Sequence, residues 1–290
     1  MRIIVNMACG LANRMFQYAY YLFLKKKGYN VMVDFYQSAK LAHEKVAWND
    51  IFPSAKIEQA SHWDVLRLAG GSDMFSKIRR KYLPALSGVV NMPTAFDAQL
   101  PVQDGKDKYI IGVFQNASVV EFVEKEVKEC FSFVPFSDDF NKAMLVEITE
   151  CNSVGIHVRK GNDYMSRIWY QNTCPVEYYQ KAIAKIKELV DHPIFFVFTD
   201  NPQWVKDNFK GIDYRLVEDN PADGWGSHFD MQLMSLCKHN IISNSTYSWW
   251  GAFLNGNNNK IVVSPEVWFN PDSCEEYTSD KLLCKNWIAL

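Results

Sequence analysis

No two cysteines in this 290-residue chain are spaced as CxxC. The seven, at 9, 130, 151, 174, 237, 274 and 284, are scattered and odd in number. That pattern fits reduced thiols in a cytoplasmic protein better than a disulfide framework or a zinc site. No GK[ST] phosphate loop occurs, which argues against phosphoryl transfer of the P-loop kind. The loop ACGLANR (8–14) holds one glycine where a dinucleotide fingerprint needs three, so a Rossmann cofactor site is disfavoured. No apolar run reaches the length of a transmembrane helix. Small residues precede Cys9 as in a lipoprotein signal, but the apolar run there is too short. A formal net charge of −2 gives no purchase for nucleic acid, whose binding is driven by counterion release.

What the chain does have is length for two domains and the composition of a soluble globular protein, 48% hydrophobic and 22% charged. Nine Trp and fourteen Tyr fit either a large core or a site that handles sugars. Strand character over Arg2–Met7, helical periodicity over Met15–Lys27 and a strand at Asn30–Asp34 open the chain as a β-α-β unit. Residues 35–105 show no firm period; within them Trp48–Pro53 reads as a packed loop. Ser76–Tyr82 (SKIRRKY) reads as a basic helical patch, a solvated face or a point of peripheral membrane contact. Tyr109–Phe114 reads as a strand and Val119–Cys130 as a charged helix, with a boundary near Glu150. Helix 176–190, strand 194–199, helix 203–209, strand 214–217, a helix from Asp230, strand 240–243, the helix opened by Ser245–Ser248 and strand 260–264 then alternate. Such alternation predicts an α/β fold with doubly wound, mainly parallel sheets.

The densest chemistry lies in GIHVRKGNDY (155–164). His157 and Arg159 are two apart and share one face of a strand. Open α/β sheets bind ligands at the carboxyl ends of their strands, and a guanidinium there suits a phosphate because its planar fork donates two parallel hydrogen bonds. Other strand exits deliver Asp200 and the hydroxyls Ser245 and Thr246, the latter at a helix start where free N–H groups attract anions. Each residue has an ordinary structural reading as well. Asn13, Asp230, Ser245 and Thr246 serve as helix N-caps, and His157 as a satisfied buried imidazole. Trp249 and Trp250 read as core rather than as the aromatic platform of a carbohydrate-binding module.

Together GLANRMFQYA, GIHVRKGNDY, FVFTDNPQW and DMQLMSLCKHNIISNSTYSWWGAFLN resemble the bacterial α-1,2-fucosyltransferases of glycosyltransferase family 11. SNSTYSWWGA is the most specific piece. The resemblance implies a GT-B-like fold of two Rossmann-like domains facing across a cleft, here divided as 1–150 on the acceptor side and 151–290 for GDP-fucose. It implies transfer of L-fucose from GDP-fucose to a galactoside 2-hydroxyl with inversion and without a metal. The absence of any DxD sequence agrees with that. Carried onto this chain, Arg159 grips the β-phosphate with His157 and Asp200 beside it, and Asp230 reads guanine. Ser245, Thr246 and Tyr247 donate to the phosphates, while Asn13 faces the donor's sugar-phosphate end. Gln115 takes the acceptor, a galactose-containing glycan that includes lipid-linked forms met at the inner membrane face. Asp163, the carboxylate within the motif, either takes a proton or orients Arg159. The chain departs from the family pattern at Ala12 and Arg14, at Lys160 in place of a second Arg, at the extra Asn162, and at GVFQN in place of a GYWQS-like element.

Overall fold

The structure, a computed structural model, describes residues 1–35, 48–70, 74, 77, 78, 82, 88–221 and 227–290, with Asp163 described by its backbone alone. The expected basic helix over 76–82 lies largely outside the described residues. Contacts divide the chain into two units, Met1–Ser132 and Phe133–Leu290.

In the first unit β1 (Arg2–Asn6) leads into α1 (Leu11–Lys26) and β2 (Asn30–Asp34). Short helices α2 (Trp48–Ile51) and α3 (His62–Ala69), strands β3 (Val89–Asn91) and β4 (Lys108–Ile111), and helices α4 (Ala117–Phe122) and α5 (Glu124–Cys130) follow. The four strands form a parallel sheet in the order β2-β1-β4-β3. α1 ends as the sequence predicts, with Lys25 and Lys26 in its last turn and Gly28 at φ +86°. The strand expected to run to Phe114 stops at Ile111. A Cβ on Gly112 would meet Met92 Cγ at 2.8 Å, and Phe114 turns into the left-handed region at φ +55°. The helix expected over 119–130 is two helices, broken at Val123.

The second unit carries α6 (Asp139–Glu150), β5 (Asn152–Val158), α7 (Asn162–Met165), a 3-10 turn at Ile168–Tyr170, and α8 (Val176–Leu189). Next come β6 (Pro193–Thr199), α9 (Pro202–Asn208), β7 (Arg215–Val217), α10 (Phe229–Leu236), β8 (His239–Ile241), α11 (Thr246–Leu254), β9 (Val262–Ser264) and β10 (Ile288–Ala289). All six strands are parallel, ordered β7-β6-β5-β8-β9-β10. Chain order therefore reverses direction between β5 and β8, the place where doubly wound sheets open a crevice. β5 is buried along its length, and Val154, Ile156 and Val158 pack with Tyr179, Ile186, Val197 and Val263. Each such side chain contributes about 1.5–3 kcal/mol of burial.

The division falls after Ser132, not near Glu150 as the sequence suggested. α6 belongs to the second unit because it packs on α10 and β5. α10 and α11 approach closely at Gly251, where a Cβ would stand 3.0 Å from Met234 Cβ. Trp249 and Trp250 are fully buried in α11, as their spacing predicts, and Trp249 Nε1 donates to the Leu282 carbonyl at 2.7 Å. Trp249→Ala should cost about 3–5 kcal/mol of unfolding free energy in urea titrations, the scale of a large aromatic deleted from a core. A loss below about 1 kcal/mol would contradict the core assignment.

Candidate active site

Two strand exits meet at the β5/β8 crossover of the second unit. β5 delivers Arg159, and the segment after β8 delivers Ser245, the N-cap residue of α11. Arg159 Nη1 donates to Ser245 Oγ at 3.3 Å. Ser245 makes no side-chain cap bond to its own helix, so the simple capping reading fails for it. The first N–H groups of α11 thus lack the usual side-chain acceptor and lie beside a guanidinium, a combination that attracts anions.

Arg159 is held from below and behind. Its guanidinium lies over the Tyr164 ring at 4.8 Å, a stacking that a lysine would not reproduce. Lys160 points inward instead of joining Arg159 at the ligand edge. It is buried, its ammonium donates to the Thr173 carbonyl at 3.0 Å and lies over the Trp204 ring, and burial lowers its pKa. The Lys160 backbone is clamped on both sides: its N–H donates to Asp200 Oδ1 at 2.7 Å and its carbonyl accepts from Asn201 Nδ2 at 2.8 Å. Asp200 was expected to touch the donor; the structure gives that carboxylate oxygen to the loop that aims Arg159. Behind the loop, Asn244 Nδ2 bridges Thr173 Oγ1 and the Trp268 carbonyl, both at 2.9 Å.

His157 is buried beside Ser243, with Nδ1 2.8 Å from Ser243 Oγ. Burial, reinforced by the Arg159 charge, pushes its pKa down to about 3, so the imidazole is neutral near pH 7. It shapes the site without adding positive charge. Tyr247 was expected to offer its hydroxyl to a phosphate. That hydroxyl is engaged elsewhere, donating to the Ser227 carbonyl at 2.7 Å and accepting from Met231 N–H at 2.8 Å. Its ring lies 5.8 Å from the His157 ring, so Tyr247 joins the start of α10 to the site as a brace.

Asp230 sits in the first turn of α10 and does not act as its N-cap, which is His228. Asn220 Nδ2 donates to Asp230 Oδ1 at 2.8 Å, and Asn220 and Asn141 exchange side-chain bonds of 2.8 and 3.0 Å. Burial raises the Asp230 pKa to about 6, partly offset by the Asn220 bond. The folded chain therefore takes up a proton between about pH 6 and 3.8 that the unfolded chain leaves off. Intrinsic stability from this group rises as pH falls through that window. A ligand that needs the carboxylate ionised should show the opposite trend, binding more weakly below about pH 6. Urea titrations of the wild type and Asp230→Asn across pH 4–7 would check the stability trend; a difference between the two that does not change with pH would contradict it.

In the first unit the corresponding crossover lies between β1 and β4. Asn13 stands in the first turn of α1, whose N-cap is Gly10, so Asn13 is not the cap either. Its Oδ1 accepts from Gln115 Nε2 at 3.1 Å. Gln17 ties the same two exits together, accepting from Ala8 N–H and donating to the Gly112 carbonyl, both at 2.9 Å. Gln115 Oε1 is buried and has no hydrogen-bond partner among the described residues. Such an orphaned acceptor atom marks a place for a ligand's O–H or N–H.

The sequence pattern of the family described as "Glycosyl transferase family 11" matches residues 99–290, about two-thirds of the chain. The chain belongs to glycosyl transferase family 11. Similar proteins include the Escherichia coli "O-antigen biosynthesis glycosyltransferase WbnK", 32% identical over 189 residues. That match covers 62% of this chain but only 60% of WbnK. An Escherichia coli "Alpha-1,2-colitosyltransferase" is 27% identical over 99% of this chain and 98% of its own length. The mouse "Galactoside alpha-(1,2)-fucosyltransferase 2" is 28% identical over 36% of this chain and 30% of its own. Among solved structures, "NodZ alpha-1,6-fucosyltransferase co-crystallized with GDP" has a TM-score of 0.50 at 15% identity, covering 86% of this chain and 91% of NodZ. That likeness concerns the fold, and with the two parallel-sheet units it fits the expected GT-B-like α/β class.

Of the residues singled out in this family 11 chain, the fold gathers His157, Arg159, Ser245, Thr246 and Tyr247 at one crossover, and Asn13 with Gln115 at the other. Asp163 lies in α7, and its side chain is outside the described residues. Sequence reasoning missed Tyr164 as the seat of Arg159 and Asn220 as the brace of Asp230. Tyr164 was visible at the end of the motif; nothing local marked Asn220. Among the described residues no cluster of three or more His, Cys, Asp or Glu could hold a metal, and no helix is long and apolar enough to cross a membrane.

Proposed function

We propose that this family 11 chain is an inverting glycosyltransferase that moves L-fucose from GDP-fucose to the 2-hydroxyl of a galactoside, in assembly of a bacterial surface polysaccharide. The observation that carries the reading is the Arg159–Ser245 contact at the side-chain-uncapped start of α11, opposite a neutral His157. Family membership and the fucosyl and colitosyl transfer named for relatives support it. In such a transfer the acceptor hydroxyl attacks the anomeric carbon opposite the leaving GDP, and negative charge grows on the β-phosphate as the glycosidic bond breaks. Arg159 and the N–H groups and hydroxyl of Thr246 meet that charge in a fixed arrangement, which is the most effective use of hydrogen-bond donors in catalysis. The Asp230 carboxylate accepts from the guanine N1–H and 2-amino group. Asn13 and Gln115 are assigned to the sugar end of the donor and to the acceptor, where Gln115 Oε1 accepts a hydroxyl. Charge neutralisation by Arg159 and the helix start makes a divalent cation unnecessary, so EDTA should leave turnover unchanged.

A second reading, in which the transferred group is colitosyl, is favoured by the relative aligned along nearly the whole chain. The two sugars differ by the 3-hydroxyl. Incubation with GDP-fucose or GDP-colitose and a panel of galactosides, with the new linkage located by NMR, separates them. GDP at about 100 Kd should stabilise the protein by about 2.7 kcal/mol. ATP and free sugars should not; equal stabilisation by ATP would count against the guanine site.

A further inference from the structure

Thr173, 1% exposed, sits between the 3-10 turn and α8. Its backbone carbonyl accepts from the Lys160 ammonium at 3.0 Å, and its hydroxyl accepts from Asn244 Nδ2 at 2.9 Å. Lys160 is the residue after Arg159, and Asn244 is the residue before Ser245. One threonine therefore ties together the two strand exits that carry the Arg159–Ser245 contact. The same hydroxyl donates to the Tyr170 carbonyl at 2.6 Å and lies 3.5 Å from the Tyr164 hydroxyl. The Tyr170 ring stacks on Tyr164 with centroids 4.3 Å apart, and the Tyr164 ring carries the Arg159 guanidinium. The corner is also strained. Asn172 at φ +60° and Cys174 at φ +43° put left-handed backbone on both sides of Thr173. Asparagine takes that region readily and cysteine does not, and such backbone persists only where surrounding bonds over-determine it. Here two of those bonds run out of the turn, to the chain neighbours of Arg159 and Ser245.

We propose that Thr173 is a positioning residue that sets the spacing of Arg159 and Ser245 and so aims the guanidinium at a diphosphate. The inference rests on the proposed reading in which Arg159 holds the β-phosphate of GDP. Thr173 acts through Lys160, Asn244 and Tyr170, so its contribution reaches the ligand only by way of the geometry of Arg159. Valine keeps the branched shape but removes the hydroxyl, which leaves the Asn244 amide and the Tyr170 carbonyl each short of a partner. Serine keeps both bonds. Without the cross-tie the β5 and β8 exits settle at a different spacing, and a displaced planar fork no longer meets two phosphate oxygens at once.

The test reads the grip on the β-phosphate as the ratio of GDP to GMP affinity in titration calorimetry. Wild type, Thr173→Val, Thr173→Ser and Lys160→Met are compared, each with and without Arg159→Ala, and circular dichroism checks folding. Thr173→Val should lower the ratio by about tenfold, the scale of one charge-assisted hydrogen bond lost. GMP affinity should hold, and Thr173→Ser should stay close to the wild type. Combined with Arg159→Ala, Thr173→Val should lower the ratio no further, because a residue that acts through Arg159 has nothing left to aim. An unchanged ratio in folded Thr173→Val overturns the proposal. So does an equal loss of GMP and GDP affinity, or a loss that persists in full beside Arg159→Ala, since either assigns Thr173 to the stability of the unit alone. If Thr173→Val does not fold, Lys160→Met breaks the tie from its other side and is read by the same criteria. A wild type that binds GDP and GMP alike overturns the β-phosphate reading of Arg159 and this proposal with it. A GDP preference that falls in Thr173→Val and recovers in Thr173→Ser, in a protein that transfers fucose to no galactoside, supports the proposal and removes the transferase reading.

Discussion

Arg159→Ala should lower kcat/KM by on the order of 10²-fold or more, the scale of losing one preorganised donor aimed at developing charge. The side chain makes no salt bridge in the described structure, and its known contacts are the Tyr164 ring and Ser245 Oγ. Its removal deletes one 3.3 Å hydrogen bond and one ring contact, and the protein should stay folded. Arg159→Lys should recover little. A lysine would keep the charge but would give up the planar fork and the stacking on Tyr164. Steady-state kinetics with circular dichroism on each variant is the check, and near-normal turnover of a folded Arg159→Ala protein would refute the assignment.

Asp230→Asn should weaken GDP binding by on the order of 10²-fold, because hydrogen bonds to a charged acceptor contribute about 1.5–3 kcal/mol each. An amide also turns a donor toward a base edge that itself donates. Wild-type protein should prefer GDP to IDP, which lacks the 2-amino group, and the variant should lose most of that preference. The position should tolerate the change: burial already pushes the Asp230 pKa up to about 6, so a neutral group there relieves desolvation. The variant should be at least as stable as the wild type near pH 7, where the ionised carboxylate is the costlier form. Calorimetry with the two nucleotides measures both effects; unchanged GDP affinity would remove Asp230 from the base site.

The parts of this design that were legible in the sequence are those dictated by short-range pattern. Strand 155–158 ends in Arg159 and strand 240–243 leads into Ser245, and alternation with helices forces both strands parallel; the rule for carboxyl edges then puts the two residues together. The same rule brought Asp200 to that edge without showing what one of its oxygens holds there. It leaves a strand at that edge, but the Lys160 N–H reaches its Oδ1 first. The partners of the Tyr247 hydroxyl were hidden for a similar reason, since no local pattern reveals that Ser227 and Met231 come within reach of it. The domain boundary failed because α6 looks the same in sequence whichever sheet it covers. Asn220 was invisible because its partner Asn141 is 79 residues away. At the amino-terminal crossover, Asn13 was identified as a residue at a helix start, yet Gly10 occupies the cap position and frees its side chain for Gln115.

A crystal structure of the protein with GDP addresses the central claim most directly. It should place a β-phosphate oxygen about 2.7–3.2 Å from the Arg159 guanidinium and another within the same reach of the first N–H groups or the Thr246 hydroxyl of α11. Guanine should lie against the Asp230 carboxylate. Diphosphate bound away from the β5/β8 crossover, or an Arg159 that stays on Ser245 and ignores it, would contradict the account.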